Sequence, residues 1–200
     1  MLILFDIDMT LLKTGPGGLK AITDAGREVF GRDLDFADVP TSGRLDPLIL
    51  TGLLQKNGVD PTPSNISTIR AAYAKRAGVF FENGTKALPG APELVRFVKQ
   101  HEELVTGVLT GNYQETGVLK LQAAGFDPRD FVVQVWGDDS PHDEPRREHL
   151  PPVAMSRFTE QTGKKLRPAE VTIIGDTPHD VTCATANGCR VLGVATGYTG

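Results

Sequence analysis

Three short apolar runs in this chain each end in residues able to handle charge. Leu2-Ile3-Leu4-Phe5 leads into Asp6-Ile7-Asp8, Gly107-Val108-Leu109 into Thr110-Gly111-Asn112, and Val171-Thr172-Ile173-Ile174 into Gly175-Asp176-Thr177. Two carboxylates with one residue between them can face one ligand where the backbone turns out of a sheet, which places Asp6 to attack and Asp8 to move a proton. A carboxylate that attacks phosphorus forms an acyl phosphate and splits a hydrolysis into two easier displacements. The leaving alkoxide needs a proton and the later water must lose one, a task for a second carboxyl acting as acid and then as base. Carboxylates converging on a phosphorylated substrate repel it unless a hard cation intervenes, and oxygen donors beside a phosphate are the setting that holds Mg²⁺. Asp6 and Asp176 are the expected ligands, with Asp180 supporting them from behind. The Thr110 hydroxyl, the Gly111 amide and an arginine can donate to the transferring phosphoryl oxygens, with Asn112 as a further donor.

Those loops act together only if their strands lie side by side. Short apolar runs of this kind read as buried parallel strands, and open parallel sheets place ligands beyond the carboxyl ends of their strands. From residue 87 onward the pattern alternates: helix near Pro92 to Gln100, strand Leu104 to Leu109, helix Gln114 to Ala124 and strand Phe131 to Val135. Helix Pro151 to Thr162, strand Val171 to Ile174, helix His179 to Ala186 and strand Arg190 to Ala195 follow. That alternation predicts an α/β fold, a Rossmann-like, doubly wound parallel sheet. Two turn clusters, Thr14 to Gly18 and Lys86 to Pro92, read as hinges. Between them apolar residues recur at helical spacing: Leu19, Ile22, Ala25, Val29 and Phe30, then Leu45, Leu48, Ile49 and Leu53, then Ile69, Ala72, Tyr73, Ala77 and Phe80. The expected organisation is a catalytic core of residues 1–14 and 87–200 with an inserted helical cap domain of residues 15–86.

Composition narrows the class. A chain of 200 residues, 40% hydrophobic, is enough for one core-bearing domain plus an insertion. Its net charge of −4 offers no broad basic field, which sets nucleic acid aside as a partner. No apolar run approaches the roughly 20 residues needed to span a bilayer, and no basic-plus-apolar leader precedes the first strand; a soluble, cytoplasmic protein with no membrane partner is expected. Cys183 and Cys189 lack the paired spacings of zinc sites and read as buried free thiols. His101, His142 and His149 show no ligand spacing, and His179 reads as surface or supporting. Trp136 and the Phe80-Phe81 pair read as packing. Arg44, in the loop Gly43-Arg44-Leu45-Asp46 of the cap, is placed to reach a substrate anion, against the commoner alternative of a solvated surface arginine.

Each of these loops taken singly has an ordinary structural use, as a turn or a helix cap. Together and in order they resemble the motifs of the haloacid dehalogenase-like hydrolases, most closely the phosphatases of the phosphoglycolate phosphatase type. Asp6-Ile7-Asp8-Met9-Thr10 resembles the first motif, Thr110 the second, Arg146 or Arg147 the third, and Gly175-Asp176 with Asp180 the fourth. Counting back from Leu150-Pro151-Pro152 favours Arg147 over its neighbour. Met9 departs from the pattern, since Gly is commoner there. The resemblance implies a Mg²⁺-dependent phosphatase acting on a small phosphorylated metabolite, with the Asp8 backbone carbonyl as a further metal ligand. The same family contains phosphomutases, while a dehalogenase is disfavoured because the family's dehalogenases lack the second aspartate. A phospho-ligand sensor without catalysis is the reading from another class. The chain ends at Gly200 just after the last predicted strand, where relatives of this type continue through another short stretch.

Overall fold

The structure, a computed structural model, describes residues 1–197. Its centre is a five-stranded sheet in the order β5-β4-β1-β6-β7, with every neighbouring pair parallel. The strands are β1 (Leu2–Phe5), β4 (Val105–Leu109), β5 (Val133–Val135), β6 (Val171–Gly175) and β7 (Arg190–Gly193). β1 is apolar along its whole length because both of its faces are covered. Leu2 and Leu4 pack on one side with Ala154, Phe158 and Cys183, whereas Ile3 and Phe5 pack on the other with Val95, Val98 and Leu121. Helices α4 (Ala91–Lys99) and α5 (Gln114–Ala123) cover one face and α6 (Leu150–Thr162) and α7 (Pro178–Ala186) the other. From β1 the chain builds outward through β4 to β5 and then returns to β6 on β1's other side. The point where the winding reverses is the crevice in which such sheets bind ligands.

Helices α1 (Gly17–Phe30), α2 (Asp46–Lys56) and α3 (Pro63–Gly84) form the insertion, packed around Ile22, Ala25, Leu50, Leu53 and Ile69. The expected hinges are more ordered than their turn-rich sequences suggest. Leu12–Thr14 (β2) pairs antiparallel with Thr85–Ala87 (β3), and the Gly15 amide donates to the Gly84 carbonyl at 3.0 Å, so the two crossings into the insertion form one ribbon. Each strand is three residues long, too short for alternation to register. Strand β5 begins at Val133, later than the Phe131 start its sequence pattern predicts, and β7 ends at Gly193, short of the predicted Ala195.

Candidate active site

Sheet register brings the three loops together. Phe5 is level with Val108 and Ile174, and the Asp6 amide continues the ladder by donating to the Ile174 carbonyl at 2.9 Å. Asp6, Thr110 and Asp176 therefore leave neighbouring strands at one edge. Asp6 is buried, and burial pushes its carboxyl from 3.8 up to about 7; Arg147 works against that rise, and Asp180 and Asp8 add to it. Arg147 is buried as well, with Nη2 3.0 Å from Asp6 Oδ1 and 2.6 Å from Asp180 Oδ1. Burial opposes its charge, but Asp6 and Asp180 hold the guanidinium protonated above its ordinary range. Arg146 is exposed, and its one ion pair among the described residues is with Glu144, at 3.8 Å. Of the two adjacent arginines it is Arg147 that the turn before α6 directs inward.

Asp180 is fully buried and fully engaged. Its Oδ2 accepts from the Thr177 amide at 3.0 Å and the Thr177 hydroxyl at 2.7 Å, closing a capping box at the start of α7, while Oδ1 takes Arg147. Asp176 is half-exposed, accepts a 3.3 Å bond from the Thr10 hydroxyl, and has its carboxyl raised by partial burial and by Asp180. Asp6, Asp176 and Asp180 each offer an oxygen within 4.8 Å of the others. Hard oxygen donors at this spacing fit a Mg²⁺-sized cation, and the Asp8 carbonyl, the further ligand that the resemblance implies, accepts no hydrogen bond among the described residues. Asp180, with both oxygens committed, fits better as the group that fixes Arg147 and the α7 end than as a direct ligand.

The second loop is tied to the first by a polar relay. Asn112 Nδ2 donates to Thr110 Oγ1 and to Asp8 Oδ2, both at 2.8 Å. Both amide hydrogens are thus engaged within the two loops, so a bond from the Asn112 amide to phosphate would require one of them to be released. Lys120, buried on α5, donates from Nζ to Asp8 Oδ2 and Asn112 Oδ1, each at 2.6 Å. Sequence reading missed this lysine. Its signal was its place on the buried stripe Thr116, Gly117, Lys120, Leu121, where an unpaired charge is costly.

Above these loops a cavity of about 560 Å³ runs from Asp6 and Asp8 up to Ile22, Phe36, Ile49 and Tyr73 of the insertion. Arg44 is exposed and lines it. The anchor of that loop is Asp46, which the sequence did not single out. Its amide donates to the Gly111 carbonyl at 2.7 Å and its Oδ2 accepts from the Tyr113 amide at 2.8 Å. A Cβ on Gly111 would lie 2.1 Å from the Arg44 carbonyl oxygen, so the lack of a side chain there lets the two backbones touch.

A doubly wound sheet carrying carboxylates, a hydroxyl-led loop and a buried arginine at its switch point is built to act on an anionic group held against a cation. The chain belongs to the haloacid dehalogenase-like hydrolases, whose family model matches residues 3–194. It is 27% identical over 213 residues to the phosphoglycolate phosphatase of Escherichia coli O157:H7, covering 97% of this chain and 81% of that protein. Identity to the phosphoglycolate phosphatase of Vibrio vulnificus is 29% over 204 residues, covering 98% and 84%. CbbY from Rhodobacter sphaeroides, solved in complex with phosphate, superposes with a TM-score of 0.76 at 20% identity, covering 100% of this chain and 88% of that one.

Proposed function

We propose that the chain is a Mg²⁺-dependent phosphatase of small phosphomonoesters working through an aspartyl-phosphate on Asp6, with residues 1–14 and 87–200 as the catalytic core and 15–86 as a cap. The observation that carries this is the convergence of Asp6, Asp8, Thr110, Arg147 and Asp176 on one cavity. A bound Mg²⁺, held by Asp6, Asp176 and the Asp8 carbonyl, would neutralise the carboxylates and polarise the phosphoryl group. An Asp6 oxygen attacks phosphorus as the bond to the alcohol oxygen breaks, and Asp8 gives that oxygen a proton. In the second half, Asp8 takes a proton from water as the water oxygen bonds to phosphorus and the Asp6–phosphorus bond breaks. The Thr110 hydroxyl and the Gly111 amide, which has no partner among the described residues, donate to the phosphoryl oxygens; Arg147 adds positive charge. The insertion covers the site against bulk water, and Arg44 in its loop meets the far end of the substrate. The cytoplasm, where thiols such as Cys183 and Cys189 stay reduced, is the proposed location.

Phosphate release from a set of phosphomonoesters led by phosphoglycolate, in Mg²⁺ and in EDTA, tests the reading. Metal-dependent release is expected, and Asp6→Asn should abolish it while leaving the circular dichroism spectrum unchanged; an active Asp6→Asn enzyme would overturn the nucleophile. A phosphorylated product in place of free phosphate would instead indicate a mutase, and ester binding without turnover a sensor.

A further inference from the structure

We infer that Lys120 is a positioning residue that fixes which oxygen of Asp8 carries the proton, an inference that rests on the acid–base role proposed for Asp8. Lys120 Nζ and Asn112 Nδ2 both donate to Asp8 Oδ2, at 2.6 and 2.8 Å. A carboxyl oxygen has two lone pairs in its plane, so these donors fill Oδ2 whether or not the group is protonated. The transferable hydrogen must then sit on Oδ1, which takes no bond from any described residue. The exposures agree with this division: the Lys120 side chain is 11% exposed and that of Asp8 is 38%, so Oδ2 is held from the buried side while the carboxyl opens to the cavity.

The same ammonium organises the rest of the loop. By donating to Asn112 Oδ1 it fixes the amide so that Nδ2 faces Asp8 and Thr110. Thr110 Oγ1 accepts from that amide, which leaves its own hydrogen for a phosphoryl oxygen. One buried cation therefore aims the proton carrier and a phosphate donor toward one point. The lysine is packed under the insertion, with Nζ 5.7 Å from the centroid of the buried Phe81 ring, so its position depends on α3 lying over α5.

General acid help matters for a poor leaving group and little for a good one. The test is kcat/KM of the Mg²⁺-loaded enzyme for an alkyl phosphate, whose alkoxide must be protonated, and for p-nitrophenyl phosphate, whose phenolate leaves unaided. In Lys120→Met the alkyl ester should slow by about 100-fold or more, the scale of general acid catalysis, and the nitrophenyl ester by less than about tenfold. In an Asp8→Asn background the same substitution should cost the alkyl ester no more than it costs the nitrophenyl ester, since the proton carrier it positions is gone and only its hold on Asn112 and Thr110 remains. Lys120→Gln, which keeps a donor and no charge, serves if the methionine variant does not fold and should recover part of the alkyl-ester rate. Equal slowing of both esters, or additive losses with Asp8→Asn, would overturn the positioning role while leaving the phosphatase intact. A wild-type enzyme that releases phosphate from neither ester would overturn the phosphatase reading and this inference with it.

Discussion

Asp6 carries the sharpest electrostatic conflict in the molecule. It is buried, has one cation beside it among the described residues, and shares that cation with Asp180. Its carboxyl accordingly moves from 3.8 up to about 7, and partly buried Asp46 moves in the same direction, up to about 6, through desolvation. A carboxyl raised in the folded state binds its proton more tightly than in the unfolded chain, so its contribution to stability is full below about 4 and is lost as pH rises through the folded value. Metal-free protein should therefore melt at a lower temperature at pH 8 than at pH 5, and Mg²⁺ should raise the melting temperature more at pH 8, where the cluster is anionic. A metal-free melting temperature that does not fall over this range would remove the conflict. Met9 shows strain of another kind. Its φ of 58° lies in the left-handed region that glycine tolerates and other residues occupy at a cost of about 1–2 kcal/mol, which accounts physically for glycine being commoner at this place in the motif.

Among the elements, α5 is the one on which both the site and the insertion depend. Its first turn has no capping side chain of its own; the Tyr113 amide is met instead by Asp46, 67 residues away in sequence. Asp46→Ala should cost about 1–2 kcal/mol in denaturant unfolding, the range for loss of a helix-end partner. The same substitution should make residues 15–86 more open to proteolysis, because the carboxyl also ties the Arg44 loop to the core. Unchanged proteolysis together with unchanged stability would mean that the Asp46 amide alone holds the loop.

For the whole molecule, the insertion and core exchange side chains. Leu45 of the insertion is buried among Leu109, Val133 and Leu150 of the core, while Tyr113 of the core is buried among Leu50, Leu53 and Ile69. Arg70 on α3 clasps the edge of this contact: it stacks 3.7 Å from the Tyr113 ring centroid and binds Glu115 and Asp138. These partners are about a third exposed, so each ion pair contributes at most about 1 kcal/mol. Arg70→Ala should barely move the global melting temperature yet open the cavity, seen as an increased radius of gyration in small-angle scattering and a raised KM. A large fall in stability without any change in size would make Arg70 a folding residue instead of a clasp.

Most of the sheet and its edge could be read from the chain alone, because buried parallel strands are written as unbroken apolar runs and the residues after them are local in sequence. The paired aspartates, the threonine loop and the late aspartates were visible for that reason, as was the order in which they come. Counting back from Leu150-Pro151-Pro152 favoured Arg147 over Arg146, but only tertiary structure shows it turned inward onto Asp6 and Asp180, since adjacent residues in an irregular loop have no period to fix which one faces the core. Tertiary structure alone brought Lys120 and Asp46 to the site, because each lies on a helix or loop whose local pattern is ordinary and each finds its carboxylate or amide only across the fold. Local periodicity records which face of an element is covered; it does not record what covers it, and the polar relay from Lys120 to Asp8 depends on that second fact.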